Sequence, residues 1–309
     1  FHARGWHATA ACGVFAAALV AGKLEGLDAG RLTAALGIAG SFASGVLEYL
    51  EDGSWVKRVH AGWAGHGGAV ASALARGGFS GPATILEGRF GFYRTLLGVE
   101  PDPAPFATLG RAWETPAIGF KPYPCCHYNH AYLDCALDLL REHRFAPQTV
   151  EAIECRVPAG QMPIVCEPRA GKLRPRTAYE AQFSLPYSIA SALLDGRVTL
   201  DTYAPSRLDD ARRLALAERV TCVVDPESTF PRGFPGWVRV RLADGRTLQA
   251  RAPDGRGSLA RPLPEGAIVE KFRDNAARAL PAARVTELER AVLGLDAVGD
   301  VREVTALCR

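Results

Sequence analysis

Lys57 and Arg58 break a local rule. Ser54 reads as the N-cap of a helix, which puts both cations in its first turn. There the positive end of the helix dipole makes a cation unfavourable by roughly 0.3–1 kcal/mol. Free N–H groups and two cations converging on one point suit a carboxylate or a phosphate, and violations of this kind concentrate at functional sites. His60 follows in the next turn, and only one face of that turn can look inward, so Arg58 and His60 compete as substrate contacts. The ordinary alternative is a solvated basic helix start.

A second candidate is the run Lys121-Pro122-Tyr123-Pro124-Cys125-Cys126-His127. Its prolines hold the chain extended, and a helix begins at about His127. Cys126 and His127 therefore stand at another positive helix end, where a thiol pKa tends to fall, and Lys121 stands just before it. A third is Tyr187, in an apolar helix entered from a loop carrying Arg174 and Arg176; its hydroxyl needs a partner if buried. Pro186 kinks that helix or starts it. The fourth is His7, ahead of an apolar helix. Their plain counterparts are a solvated lysine, packed cysteines and a hydrogen-bonded structural histidine.

Several classes are set aside. The chain has no GxGxxG, GxxxxGK[ST], HExxH or GxSxG. His60 and His66 are six apart, and Cys125, Cys126, His127 and His130 are crowded together; neither spacing gives tetrahedral zinc without help from elsewhere. The eight cysteines include no CxxC pair and read mostly as small buried residues of a reducing compartment. A net charge of +3, evenly spread and without a basic run interleaved with aromatics, does not suit nucleic acid. No apolar stretch reaches the roughly 18–20 residues of a membrane span, and residues 1–22 show no secretory pattern. The expected location is the cytoplasm. With 48% hydrophobic and 22% charged residues, 309 residues make a globular protein of one or two domains. The start at Phe1 and the single Met lead to the expectation that an N-terminal part is missing.

These residues need elements to hold them. Ala8–Leu19 is apolar on every face, as in a helix buried among helices. Asp28 caps a second helix, and a third runs from the Lys57 turn to about Arg76, closed by Gly77-Gly78. The prolines of Val99–Pro105 favour a loop, with a boundary before Pro116. Beyond it come a helix over His127–His143, a strand over Val150–Val157, an irregular loop over Pro158–Thr177 and a buried helix over Glu180–Leu194. An exposed amphipathic helix, Leu208–Arg219, precedes strands at Val220–Val224, Trp237–Leu242 and Arg246–Arg251. Residues 264–309 are helical again. The fold class is mainly α with an inserted α+β domain: a helical domain over residues 1–116, a smaller lid domain with an antiparallel sheet over 117–260, and C-terminal helices over 261–309 returning to the helical domain.

Six ordered segments carry a resemblance. They are Trp6-His7-Ala8-Thr9, Gly37-Ile38-Ala39-Gly40-Ser41, Leu50-Glu51-Asp52-Gly53-Ser54-Trp55-Val56-Lys57-Arg58, Gly88-Arg89-Phe90-Gly91-Phe92-Tyr93, Lys121-Pro122-Tyr123-Pro124-Cys125-Cys126-His127 and Glu180-Ala181-Gln182-Phe183-Ser184-Leu185-Pro186-Tyr187. In this order and spacing the chain resembles the MmgE/PrpD family, which includes 2-methylcitrate dehydratases, cis-aconitate decarboxylases and an iminodisuccinate epimerase. The resemblance implies a helical domain with an inserted lid, a metal-free and cofactor-free site between them, and a homodimer. It places His7, Lys57, Lys121 and Tyr187 in the pocket; Arg58, His60, Cys126 and His127 remain, from the residues themselves, the candidates for further substrate contacts. Cys126 stands where the decarboxylase branch has a histidine, which weighs against decarboxylation. The family also carries an upstream acid–base segment that this chain does not contain.

Residues and resemblance together lead to a lyase that eliminates water from a hydroxy di- or tricarboxylate by removing a proton α to a carboxylate. His7 is expected as an acid–base group or hydrogen-bond donor, Lys57 and Lys121 as carboxylate or enolate stabilisers, and Tyr187 as a positioning or proton-donating hydroxyl. Epimerisation and decarboxylation are the alternatives within the family, and a non-catalytic binding module is the alternative outside it.

Overall fold

The computed structural model describes residues 1–309 as two compact units, Phe1–Trp113 and Glu114–Arg309. No helix is long and apolar enough to cross a membrane.

The first unit is helical: α1 (Ala8–Leu24), α2 (Ala29–Phe42), the short α3 (Tyr49–Asp52) and α4 (Lys57–Arg76). Asp28 caps α2 as expected, its carboxylate accepting from the Arg31 N–H at 2.8 Å. Small residues let α1 and α4 approach closely, because a Cβ at Gly68 would collide with Ala17 and Ala18. The expectation that α1 is buried on every face needs correction. Ala10, Ala11, Val14, Ala18 and Gly22 face the core, while Leu19, Val20 and Leu24 are exposed. α2 and α4 cover only one side of it.

Ser54 is not the cap of α4. Its N–H is taken by the Asp52 carboxylate at 2.9 Å, and Val56 occupies the N-cap position without a side-chain bond. Gly53 explains the shift: its φ of 66° ends α3 in the left-handed region, so the chain makes a turn before the next helix starts. Lys57 and Arg58 nevertheless fall in the first turn of α4, as the sequence predicts.

The second unit holds α5 (His130–His143), β1 (Val150–Val157), α6 (Met162–Val165), α7 (Arg169–Leu173), α8 (Ala178–Gln182), α9 (Leu185–Asp195), α10 (Ala211–Glu218), β2 (Val220–Val224), β3 (Gly236–Leu242), β4 (Thr247–Ala252), α11 (Glu265–Ala276), α12 (Ala282–Leu293) and α13 (Val301–Ala306). The sheet order is β2-β1-β3-β4, and α5 packs on β3, β4 and α9. The sheet is mixed rather than antiparallel. β1 pairs β2 in parallel and β3 antiparallel, because the helices between β1 and β2 form a crossover that returns the chain to the same end. The β3–β4 hairpin turns at Asp244-Gly245, with Gly245 at φ 85°.

Three other expectations shift. The loop over Pro158–Thr177 contains α6 and α7. The helix over Glu180–Leu194 is two helices, because the Ser184 hydroxyl accepts from the Tyr187 N–H at 3.0 Å and caps a new one with Pro186 in its first turn. The helix near Leu208–Arg219 is not wholly exposed, since Arg213 is 1% exposed and pairs with Asp195 at 2.7 Å. Residues 261–309 belong to the second unit, where Arg278 pairs with Asp201 and the Lys271 ammonium donates to the Lys121 carbonyl.

Candidate functional site

In the first unit the sequence candidates converge. His7 precedes α1 in extended backbone (φ −85°, ψ 104°), and its N–H donates to the Gly45 carbonyl at 3.0 Å. His60 lies on the inward face of α4. The two rings meet with Nδ1 to Nδ1 at 2.8 Å, and both are buried. Tyr49 lies edge-on to His7 and His60, with ring centroids 6.2 and 5.9 Å away, and the Lys57 ammonium sits 5.7 Å from the Tyr49 ring centre. Gly45, at φ 105°, completes the cradle, since a Cβ there would meet Ala10.

Beside this cluster is a cavity of about 540 Å³, lined by Trp6, Tyr49, Asp52, Val59, His60 and Trp63 among others. Arg58 is exposed and lies over the Trp55 ring at 4.6 Å, so His60 rather than Arg58 is the inward residue of that turn. Sequence reasoning missed Tyr49. Its signal was a lone tyrosine just ahead of the cationic turn.

Burial, then the Lys57 charge, lowers the His7 pKa from 6.5 to about 4, and the same causes lower that of His60. Both rings are neutral at pH 7. In a contact between two Nδ1 atoms one ring must donate and the other accept, so the pair keeps one Nε2 as a lone pair and the other as an N–H.

The low pKa of His7 is linked to stability. The folded state binds protons less readily than the unfolded one, so this contribution is complete above about pH 6.5 and is lost as pH falls toward 4. After discounting for solvent access, wild type should lose about 2 kcal/mol more than His7→Asn between pH 7 and pH 4. Urea denaturation at the two pH values measures this. Equal losses in both proteins would reject the assignment.

The second unit collects another group. Lys121 is exposed, its ammonium 3.5 Å from the Cys125 carbonyl. Loop 255–258 sets its position: the Phe120 N–H donates to the Gly257 carbonyl at 2.7 Å, and Gly257, at φ 87°, lies so close that a Cβ would strike the Phe120 carbonyl. Cys126 donates its N–H to the Gln182 carbonyl at 2.9 Å. The His127 ring packs on Phe234 and His130, centroids 4.7 and 5.2 Å away, and its pKa is lowered by burial, then by Lys121, with Asp254 opposing.

His130 was named in the sequence only as one of a crowded set. It is fully buried, neither ring nitrogen has a hydrogen-bond partner, and burial takes its pKa to about 3. Asn129 is buried as well, its side-chain N–H group 3.3 Å from the Ser188 hydroxyl. Cys125, the neighbour of Cys126, is buried, and burial pushes that thiol up to about 12.

Tyr187 is not part of this group. It is 0% exposed, and its hydroxyl donates to the Arg207 carbonyl at 3.0 Å, with the Thr202 carbonyl at 3.4 Å. Burial raises its pKa. The partner that the sequence demanded is backbone, and the phenol is a core residue of this unit. No group of three or more His, Cys, Asp or Glu side chains is arranged to hold a metal ion.

Comparison with known proteins adds the following. Residues 1–104 match the sequence model of the MmgE/PrpD N-terminal domain, and residues 123–297 match that of the C-terminal domain. A cis-aconitate decarboxylase-like protein of Aspergillus oryzae is 30% identical over 98% of this chain and 65% of its own length. The cis-aconitate decarboxylase of Aspergillus terreus is 29% identical over 98% of this chain and 64% of its own. A 2-methylcitrate dehydratase of Cupriavidus necator is 29% identical over 71% of this chain and 48% of its own. The chain thus spans just under two thirds of the decarboxylases it matches.

Proposed function

The chain belongs to the MmgE/PrpD family, and on that footing we propose that it serves a lyase that removes water from a hydroxy di- or tricarboxylate through a carbanion-like intermediate. The observation that carries this reading is the neutral His7–His60 pair, with nitrogens 2.8 Å apart, next to the first-turn cation Lys57.

Elimination of water needs a base for the proton α to a carboxylate and an acid for the departing hydroxyl. The hydrogen-bonded pair offers both while uncharged. The ring with the free Nε2 lone pair takes the substrate proton. It passes its Nδ1 proton across the shared hydrogen bond, and the partner ring releases its Nε2 proton to the hydroxyl, which leaves as water. No proton is gained or lost overall, and the shared bond ends reversed. Negative charge developing on the carboxylate is stabilised by the Lys57 ammonium and by the positive end of the α4 dipole. Lys121, with His127 beside it, is a second cationic group suited to a carboxylate. Tyr187 has no place in this scheme.

Decarboxylation is the second reading. It is favoured by the Aspergillus relatives, whose similarity covers 98% of this chain. It uses the same cations and delivers a proton to carbon after carbon dioxide departs. The experiment is to incubate the protein separately with 2-methylcitrate, citrate and cis-aconitate and to identify products by NMR. An alkene tricarboxylate from either hydroxy acid supports dehydration. Carbon dioxide with an unsaturated dicarboxylate from cis-aconitate assigns decarboxylation, and turnover of none of the three rejects both.

A further inference from the structure

The cavity beside the His7–His60 pair is walled mainly by apolar side chains. Val56, Val59, His60 and Trp63 recur along α4 at helical spacing, so they share the one helix face that looks into the cavity. Trp6 and Phe42 add apolar wall from outside that helix. Val59 and Trp63 remain 57% and 55% exposed although His60, a member of the reactive pair, lies between them. Large apolar side chains left open in a concave site mark a place for an apolar group. Trp63 is steadied there by His66, with ring centroids 5.5 Å apart.

The charges of the cavity disfavour a carboxylate inside it. Its charged lining is Glu48 and Asp52, and no lysine or arginine is among the lining residues. A carboxylate moved there would lose hydration against apolar wall and meet two charges of its own sign. Lys57 stands at the margin, next to the ring of Tyr49, which does line the cavity. The carboxylates of a substrate therefore belong at Lys57 and the start of α4, and the cavity receives an uncharged part. His60 belongs both to the reactive pair and to the cavity wall. A carbon held at its ring for deprotonation is thus the carbon from which a substituent enters the cavity.

Resting on the carboxylate-lyase reading of this site, we propose that the substrate bears an alkyl chain longer than methyl on the carbon that loses its proton, and that the chain lies along Val59 and Trp63. The volume of about 540 Å³ suits such a ligand, being within the roughly 300–1,000 Å³ of small-molecule sites. Covering Val59 and Trp63 removes apolar surface from water, a gain that a short polycarboxylate without a chain does not make. Trp63 is then a specificity-determining residue, because it widens the discrimination between long and short substituents.

The test titrates the whole chain calorimetrically with propane-1,2,3-tricarboxylate and with its ethyl-, butyl- and hexyl-bearing analogues, pentane-, heptane- and nonane-1,2,3-tricarboxylate. The expected result is a rise in affinity of roughly 2–4-fold for each CH₂ group added. Trp63→Ala should flatten that rise, the hexyl compound losing most, and Lys57→Met should weaken every member of the series. Val59→Asn, at a side chain equally open, is the second variant and should flatten the rise as well. A flat series in wild type with the parent tricarboxylate still bound overturns the alkyl chain and leaves the lyase reading standing, whether the cavity is then idle or covered by a second copy of the chain. A rise that survives both substitutions overturns it too. Failure of the parent compound to bind, or binding of the series that ignores Lys57→Met, removes the carboxylate site and the lyase reading with it.

Discussion

Lys57→Met is expected to lower turnover by roughly 10²–10³-fold, the usual cost of removing one preorganised group that faces developing negative charge. Its effect on stability should be small beside that. The ammonium sits in the first turn of α4, where removing a cation gains roughly 0.3–1 kcal/mol. Loss of its position 5.7 Å from the Tyr49 ring centre offsets a similar amount, roughly 0.5–1 kcal/mol. A purely structural lysine gives the opposite pattern, with stability lost and activity following it. Steady-state kinetics beside urea denaturation separates the two. Unchanged turnover would remove Lys57 from the chemistry.

The largest stability effect is expected at Asp134, a residue of α5. It is buried, and its carboxylate accepts from the Tyr123 hydroxyl at 2.7 Å and the Arg256 N–H at 2.7 Å, with the Arg261 guanidinium at 3.4 Å. Burial raises its pKa, and those bonds and charges act against the rise. Asp134→Ala leaves Tyr123 and two arginines without their shared acceptor, and breaking a buried network of this kind costs roughly 3–5 kcal/mol. Tyr123 lies in the Lys121–Cys126 segment, and Arg256 adjoins Gly257, which holds Phe120. The substitution should therefore loosen Lys121 as well. The urea midpoint measures the first effect, and hydrogen exchange at the Phe120 amide the second. A cost below about 1 kcal/mol would place Asp134 among ordinary surface carboxylates.

Much of the fold was legible because it rests on local signals. β1 runs over Val150–Val157 as its alternation implied, Gly77-Gly78 ends α4, and Asp28 caps α2. Strand direction was not legible. Alternation shows which face is buried but not which way the neighbour runs, and the parallel β1–β2 pair follows from the crossover between them. Ser54 misled because a capping residue is recognised by type, while Asp52 and the left-handed Gly53 decide where the helix begins.

Within the site, Lys57 was visible as a breach of helix electrostatics. His60 could not be linked to His7, which is distant in sequence and meets it only through the packing of α1 against α4. The sequence recognised that the Tyr187 hydroxyl needs a partner, but nothing in it distinguished a substrate from the Arg207 carbonyl.

The dehydration reading requires carboxylate binding at Lys57 next to the His7–His60 pair. The direct measurement is an NMR titration of the histidine ring signals with propane-1,2,3-tricarboxylate, which has no hydroxyl to lose. Saturable shifts of the His7 and His60 signals, with an upward move of their pKa values as anionic charge enters and with both effects absent in Lys57→Met, are the predicted result. Signals of His7 and His60 that stay in place while the tricarboxylate binds elsewhere, or does not bind, would contradict it.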